Sequence, residues 1–137
     1  MNTPQPSLVD SAIAHHRERR YGLALQAIDQ AAEQHGLTAS LDLLRVEALI
    51  GLEMFRDAHE IVRTLMEQGG PAVRAQTLLL KARVLRRSTP WLDDALEAAL
   101  DCIHLARAKG DAGRQIAGEA HIEAARCFAR KRSRALA

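Results

Sequence analysis

Aromatic residues are scarce in this chain: 137 residues hold one Trp, one Tyr and two Phe. A core with so few rings must be built from Leu, Ile, Val and Ala, which suits helices packed at close range. Cysteine is also scarce. Cys102 and Cys127 belong to no C-x-x-C pair, which argues against a zinc framework. Both read as small buried helix residues, and that suits a reducing compartment such as the cytoplasm. No apolar run approaches the roughly 20 residues of a membrane span. The opening MNTPQPSLVDSAIAHHRERR has no apolar stretch after a basic start, so no secretory signal is expected. Formal net charge is only +2, and no global excess argues for nucleic acid. Nowhere do β-branched or aromatic residues alternate over five or more positions, so strands are not expected.

The usual catalytic and metal patterns are missing too. None of the six histidines pairs with another at i, i+4, the spacing a helical zinc site needs. Gly69-Gly70 lacks the Lys-Ser/Thr of a phosphate loop. Asp93-Asp94 opens a helix, where acids meet the dipole favourably. Ser7, Ser11, Ser40 and Ser88 have no nucleophile motif around them. On these grounds neither an enzyme nor a bound metal or cofactor is expected.

What is present is a period. Tyr21–Ala31 (YGLALQAIDQA) is echoed 34 residues later by Phe55–Leu65 (FRDAHEIVRTL). Tyr21 and Phe55 open the two segments, Ala24 and Ala58 follow three later, and Ile28 and Val62 four after that. Ala14, Ala48 and Ala82 keep the same step. A fixed period of this size indicates one supersecondary unit used repeatedly. Apolar spacing and punctuation predict helices over about 8–19, 21–35, 40–51, 55–68, 72–87, 91–109 and 111–130. Ser7 is the expected cap of the first, and Thr38 or Ser40 of the third. Gly36 and Gly69-Gly70-Pro71 are the expected breaks. The Ala14–Ala24 and Ala48–Ala58 intervals are ten residues and Ala82–Ala95 is thirteen, which implies a three-residue insertion at Ser88-Thr89-Pro90.

At these residues the chain resembles a tetratricopeptide repeat array. Units fit near 5–38, 39–72 and 73–110, with a fourth starting near 111. Ala24, Ala58 and Ala95 match the small second-helix residue where the two helices of a unit cross. The small residue usual in the middle of the first helix is Ala12 in the first unit, and Val46, Leu80 and Glu123 in the others. The divergent spacing resembles bacterial regulatory repeats more than chaperone adaptors. The resemblance implies an all-α fold of about seven helices, in antiparallel pairs stacked as a right-handed superhelix. It also implies a non-enzymatic protein- or peptide-binding module, expected to be the N-terminal part of a bacterial regulatory or signalling protein. Sensing of a small peptide or ligand in the concave groove is an alternative.

By this alignment Val9, Ile13, Leu43, Glu47, Ile50, Lys81, Val84 and Leu85 project from first helices toward the groove, as do Ala117, Ala120 and Ala124. The subgroup that clamps a terminal carboxylate carries Lys, Asn and Arg at these places, and only Lys81 is of that type. The mainly apolar set suits an amphipathic helix or extended peptide. A second surface is basic: Arg17, Arg19, Arg20, Arg86, Arg87, Arg130, Lys131 and Arg132 fall at the intra-unit turns. They form a candidate docking edge for an acidic partner or, without aromatic interleaving, less favourably for nucleic acid. Residues 1–6 are expected to be flexible, 7–130 to form the repeat domain, and 131–137 to begin a further helix with Ser133 near its cap. That helix would cover Ile116, Ile122 and Phe128. A chain lacking it is expected either to fray after about Arg130 or to pair with a second copy.

Overall fold

The computed structural model describes residues 7–136, so the segment expected to be flexible, 1–6, lies outside the described residues. The described residues form an all-α fold without a strand. The helices are α1 (Leu8–Arg17), α2 (Tyr21–His35), α3 (Ala39–Gly51), α4 (Phe55–Gln68), α5 (Arg74–Ser88), α6 (Leu92–Ala108) and α7 (Arg114–Leu136). Short 3-10 segments, Pro71–Val73 and Gly110–Gly113, lead into α5 and α7. Asp111 sits inside the second of these 3-10 turns.

The chain divides into two compact units, Met1–Ile61 and Val62–Ala137. In the first, α1, α2 and α3 each pack against the other two. Their core is Ala12, Ala27, Ile28, Ala31 and Leu41, closed by Leu8, Ala32 and Leu44. Ser7 starts α1, its hydroxyl accepting from the Asp10 N–H at 3.1 Å. Thr38 starts α3 in the same way, accepting from the Leu41 N–H at 3.2 Å. Each cap satisfies an N–H that would otherwise lack a partner in the helix.

In the second unit α5, α6 and α7 also pack pairwise. Ala75, Leu78, Leu79 and Ala82 of α5 meet Ala98, Ala99, Cys102 and Ile103 of α6 and Ala120 and Ala124 of α7. The three adjacent leucines, Leu78 to Leu80, are all buried because α5 is covered from more than one side. Small residues allow the close approach, and the Cys102 thiol donates to the Ala75 carbonyl at 3.1 Å across it. Ala24, Ala58 and Ala95 are fully buried.

Two local backbone motifs recur at the 34-residue step. Between α1 and α2, Glu18, Arg19 and Arg20 donate to the carbonyls of Ala14, His16 and His15. Between α3 and α4, Leu52, Glu53 and Met54 donate to those of Ala48, Ile50 and Leu49. The central residues, Arg19 and Glu53, have φ of 61° and 60°. Left-handed backbone at a charged residue is uncommon, so its recurrence marks the same turn made twice. After α2 and after α4 comes a glycine, Gly36 or Gly70, with φ 81° in both. The α5–α6 turn is built differently. Thr89 is extended, and its hydroxyl donates to the Leu85 carbonyl at 2.9 Å.

The C-terminal expectation needs correction. α7 runs through Arg130 and Ser133 to Leu136 as one helix of 23 residues, so 131–136 do not open a further helix. Neither Gly nor Pro interrupts the sequence after Gly118, and a lone Ser costs a helix only tenths of a kcal/mol, within about 0.7 kcal/mol of Ala. Ile116 packs against the α5–α6–α7 core, while Ile122, Phe128 and Leu136 stand exposed.

Candidate functional site

The expected groove residues separate into two groups. In the first unit, Val9, Ile13 and His16 lie at i, i+4 and i+7 on α1, a single face of the helix. Leu43 and Glu47 make the matching pair on α3, which packs beside α1. Val9 is exposed, and Ile13, His16, Leu43 and Glu47 are half-buried. Apolar atoms thus remain accessible on two neighbouring first helices. His16 sits at the end of this strip. Its Nε2 lies 3.8 Å from the Glu47 carboxylate, and both side chains are about one-third exposed (34% each). Such a pair is worth little in water, about 0–1 kcal/mol. The His16 ring meets Tyr21 edge-on, with centroids 5.4 Å apart and planes at 62°. Its Nδ1 is buried and has no hydrogen-bond partner. Tyr21 is itself seated against Gly51, where a Cβ would come within 2.5 Å of the ring.

The other expected groove residues are core. Ile50 is 4% exposed, Val84 0% and Leu85 7%, so they cannot line a binding surface. Ile50 lies in the last turn of α3, where the chain folds back and its carbonyl accepts from Glu53. Val84 and Leu85 lie on α5, which α6 and α7 both cover, and Leu85 packs against Ala95 and Cys127. Ala120 and Ala124 are core for the same reason, and Ala117 is half-buried. Lys81 is half-buried on α5. It is not brought together with other groups of a carboxylate clamp, since Thr77, one turn before it, is buried and donates to the Val73 carbonyl at 2.8 Å.

The basic edge also separates. Arg17, Arg19 and Arg20 are exposed, with Arg20 3.4 Å from Glu18. Arg87 and Arg132 are exposed. Arg86, Arg130 and Lys131 are instead engaged within the second unit, a correction to their reading as free charges of the docking edge. The Arg86 Nε donates to Glu123 Oε2 at 2.6 Å, and the Arg83 Nε to Oε1 at 3.1 Å. Arg126 approaches the same oxygen at 3.3 Å. Arg130 donates to the Arg86 carbonyl, and Lys131 pairs with Asp93. Glu123 is 1% exposed. Burial alone would raise its carboxyl, but the hydrogen bonds and charges of Arg86 and Arg83 outweigh this and hold it below the usual carboxylate range. The sequence carried a signal for this cluster in an acid at a position otherwise filled by Ala12, Val46 and Leu80.

Beside that cluster, Pro90–Asp94 and Lys131 and Arg134 enclose a cleft of about 500 Å³. Its charges are largely spent internally: Lys131 on Asp93, and Arg134 on the Pro90 carbonyl at 2.6 Å. Burial pushes the Cys102 thiol up to about 11, with Glu119 adding to the effect, and it raises Cys127 as well. Neither is poised as a nucleophile at neutral pH. Among the described residues, no three His, Cys, Asp or Glu side chains converge as metal ligands, and no helix is long and apolar enough to cross a membrane. No protein-family model, curated protein or solved structure matches the chain.

Proposed function

We propose that this chain is a tetratricopeptide-like, non-enzymatic module that binds a protein or peptide on the α1–α3 strip. The observation that carries the function is that strip: Val9, Ile13 and Leu43 offer apolar contact beside a buried His16 Nδ1 that lacks a partner. An amphipathic helix or extended peptide would place one or two apolar anchors there, beside the partly exposed His16–Glu47 pair. The repeat reading is supported by the paired left-handed turns at Arg19 and Glu53 and by the paired glycines Gly36 and Gly70. Stacking of the pairs into a right-handed superhelix, a regulatory or signalling role and a cytoplasmic setting belong to the same proposal. Two cysteines that are buried and free suit that setting.

The test is selection of peptides from a displayed library on the purified chain. Selected peptides should lose most of their affinity for Ile13→Asp and Leu43→Asp, and keep it for Leu100→Asp, an exposed position on α6. Failure to enrich any sequence, or equal binding to all three variants, would remove the proposal. Nucleic-acid binding is the second reading, and it rests on the exposed Arg17, Arg19 and Arg20. It predicts an affinity that falls steeply with salt, whereas an apolar strip responds little.

A further inference from the structure

A smaller cleft in the second unit, about 350 Å³, is lined by Pro71, Arg74, Ala75, Leu105, Ala108 and Lys109. It joins the start of α5 to the last turn of α6. Ligand pockets span roughly 300–1,000 Å³, so this one would hold a small molecule or a single side chain with its terminal group. Its lining has a distinct chemistry. Four residues are apolar or present apolar atoms, two are cations, and none is an acid.

Arg74 is the unusual member. Its Nε–H is buried and has no acceptor. Among the described residues, no carboxylate pairs with Arg74 or Lys109, although the other half-buried arginines, Arg45, Arg83 and Arg86, are all ion-paired. A desolvated guanidinium N–H without an acceptor is costly, because a buried donor loses water and gains nothing in exchange. Cations near a helix C-terminus are favoured by the dipole, which accounts for Lys109 at the end of α6. It does not account for Arg74, which makes no hydrogen bond to the last carbonyls of α6.

We propose that this cleft binds a carboxylate carried on a short apolar body. The carboxylate would accept from the terminal N–H groups of the half-buried Arg74 guanidinium and balance Lys109, while the apolar body rests on Pro71, Ala75, Leu105 and Ala108. A guanidinium matches a carboxylate's planar pair of oxygens and can engage both. The site belongs to the second unit and the α1–α3 strip to the first, and the proposal does not depend on the repeat reading. A free short-chain acid and the C-terminus of a peptide ending in an apolar residue share this chemistry.

Isothermal titration of the whole chain tests it. The probes are octanoate, octanamide and octylamine, with a peptide ending in Leu as its free acid and as its amide. Octanoate or the free-acid peptide should bind one to one, and whichever of them binds identifies the source. The amides and the amine should bind at least tenfold more weakly. Arg74→Gln should reduce acid binding at least tenfold, Lys109→Gln less, and Arg56→Gln, at an exposed arginine of α4, not at all. Circular dichroism verifies that each variant is folded, and Arg74→Lys, which keeps the charge, should retain part of the affinity. Absence of binding by either acid overturns the proposal. So does amide binding equal to acid binding, or full affinity in folded Arg74→Gln.

Discussion

Removing the Glu123 carboxylate should be among the most damaging single changes in the second unit. Glu123→Ala leaves three guanidinium groups facing an empty acceptor. Arg126 and Arg83 are 57% and 26% exposed and can turn to water, but Arg86 is only 16% exposed and its Nε loses a 2.6 Å bond. Breaking a buried pair from one side costs about 3–5 kcal/mol. With two of the three partners able to rehydrate, the lower end applies, about 3 kcal/mol. Glu123→Gln keeps the shape and one acceptor and should cost about 1–2 kcal/mol. Replacing Glu123 and Arg86 together by Met should cost less than Glu123→Ala alone, since the least exposed of the three guanidinium groups is then no longer stranded. Urea unfolding followed by far-ultraviolet circular dichroism measures all three.

The pH dependence has a definite sign. The carboxyl titrates lower in the folded chain than in the unfolded chain. Its contribution is therefore fully present above the unfolded value, about 4.3, and is lost as pH falls through the folded value. The gap between wild type and Glu123→Ala should shrink in that acid range. Equal stability of Glu123→Ala and wild type at neutral pH, or a gap that persists unchanged in acid, would refute the account of this cluster.

Three further outcomes follow from packing. Gly51→Ala should destabilise by on the order of 1–3 kcal/mol, because the new Cβ would lie 2.5 Å from Tyr21 and the ring must move; thermal unfolding measures this. Cys102, with its thiol pushed up to about 11 and no solvent exposure, should resist alkylation at neutral pH until the chain is unfolded, as mass spectrometry of labelled peptides would show. If the exposed Ile122 and Phe128 of α7 pair two copies, the mass from light scattering should rise with concentration in wild type and stay monomeric in Phe128→Asp.

The helices were legible because their signals are local. Ser7, Thr38, Gly36 and the break at Gly69-Gly70-Pro71 act within a few residues of themselves, and α2 and α4 have the bounds that the spacing predicts. The burial of Ala24, Ala58 and Ala95 was legible for a related reason: each is a small residue on the apolar face of its own helix. Faces were harder to read. Leu43 and Ile50 share a stripe on α3, yet one remains accessible and the other is buried, and this depends on where the chain turns back after Gly51. On α5 the stripe argument failed at Val84 and Leu85, because a helix covered from two sides has no free apolar face to assign. The reading of Arg86 as surface charge failed because its partner Glu123 lies 37 residues away. The orphaned Arg74 Nε–H could not be read from sequence at all, since burial of one atom depends on the packing of α5 against α6.

The central claim is that the α1–α3 strip is where a partner binds. Amide NMR spectra of the labelled chain, recorded as a selected peptide is added, test it most directly. The account predicts that the perturbed signals cluster at Val9, Ile13, His16, Leu43 and Glu47 and that the affinity is nearly independent of salt. Perturbations centred on Arg17, Arg19 and Arg20 that fade with added salt, with the strip unmoved, would contradict it.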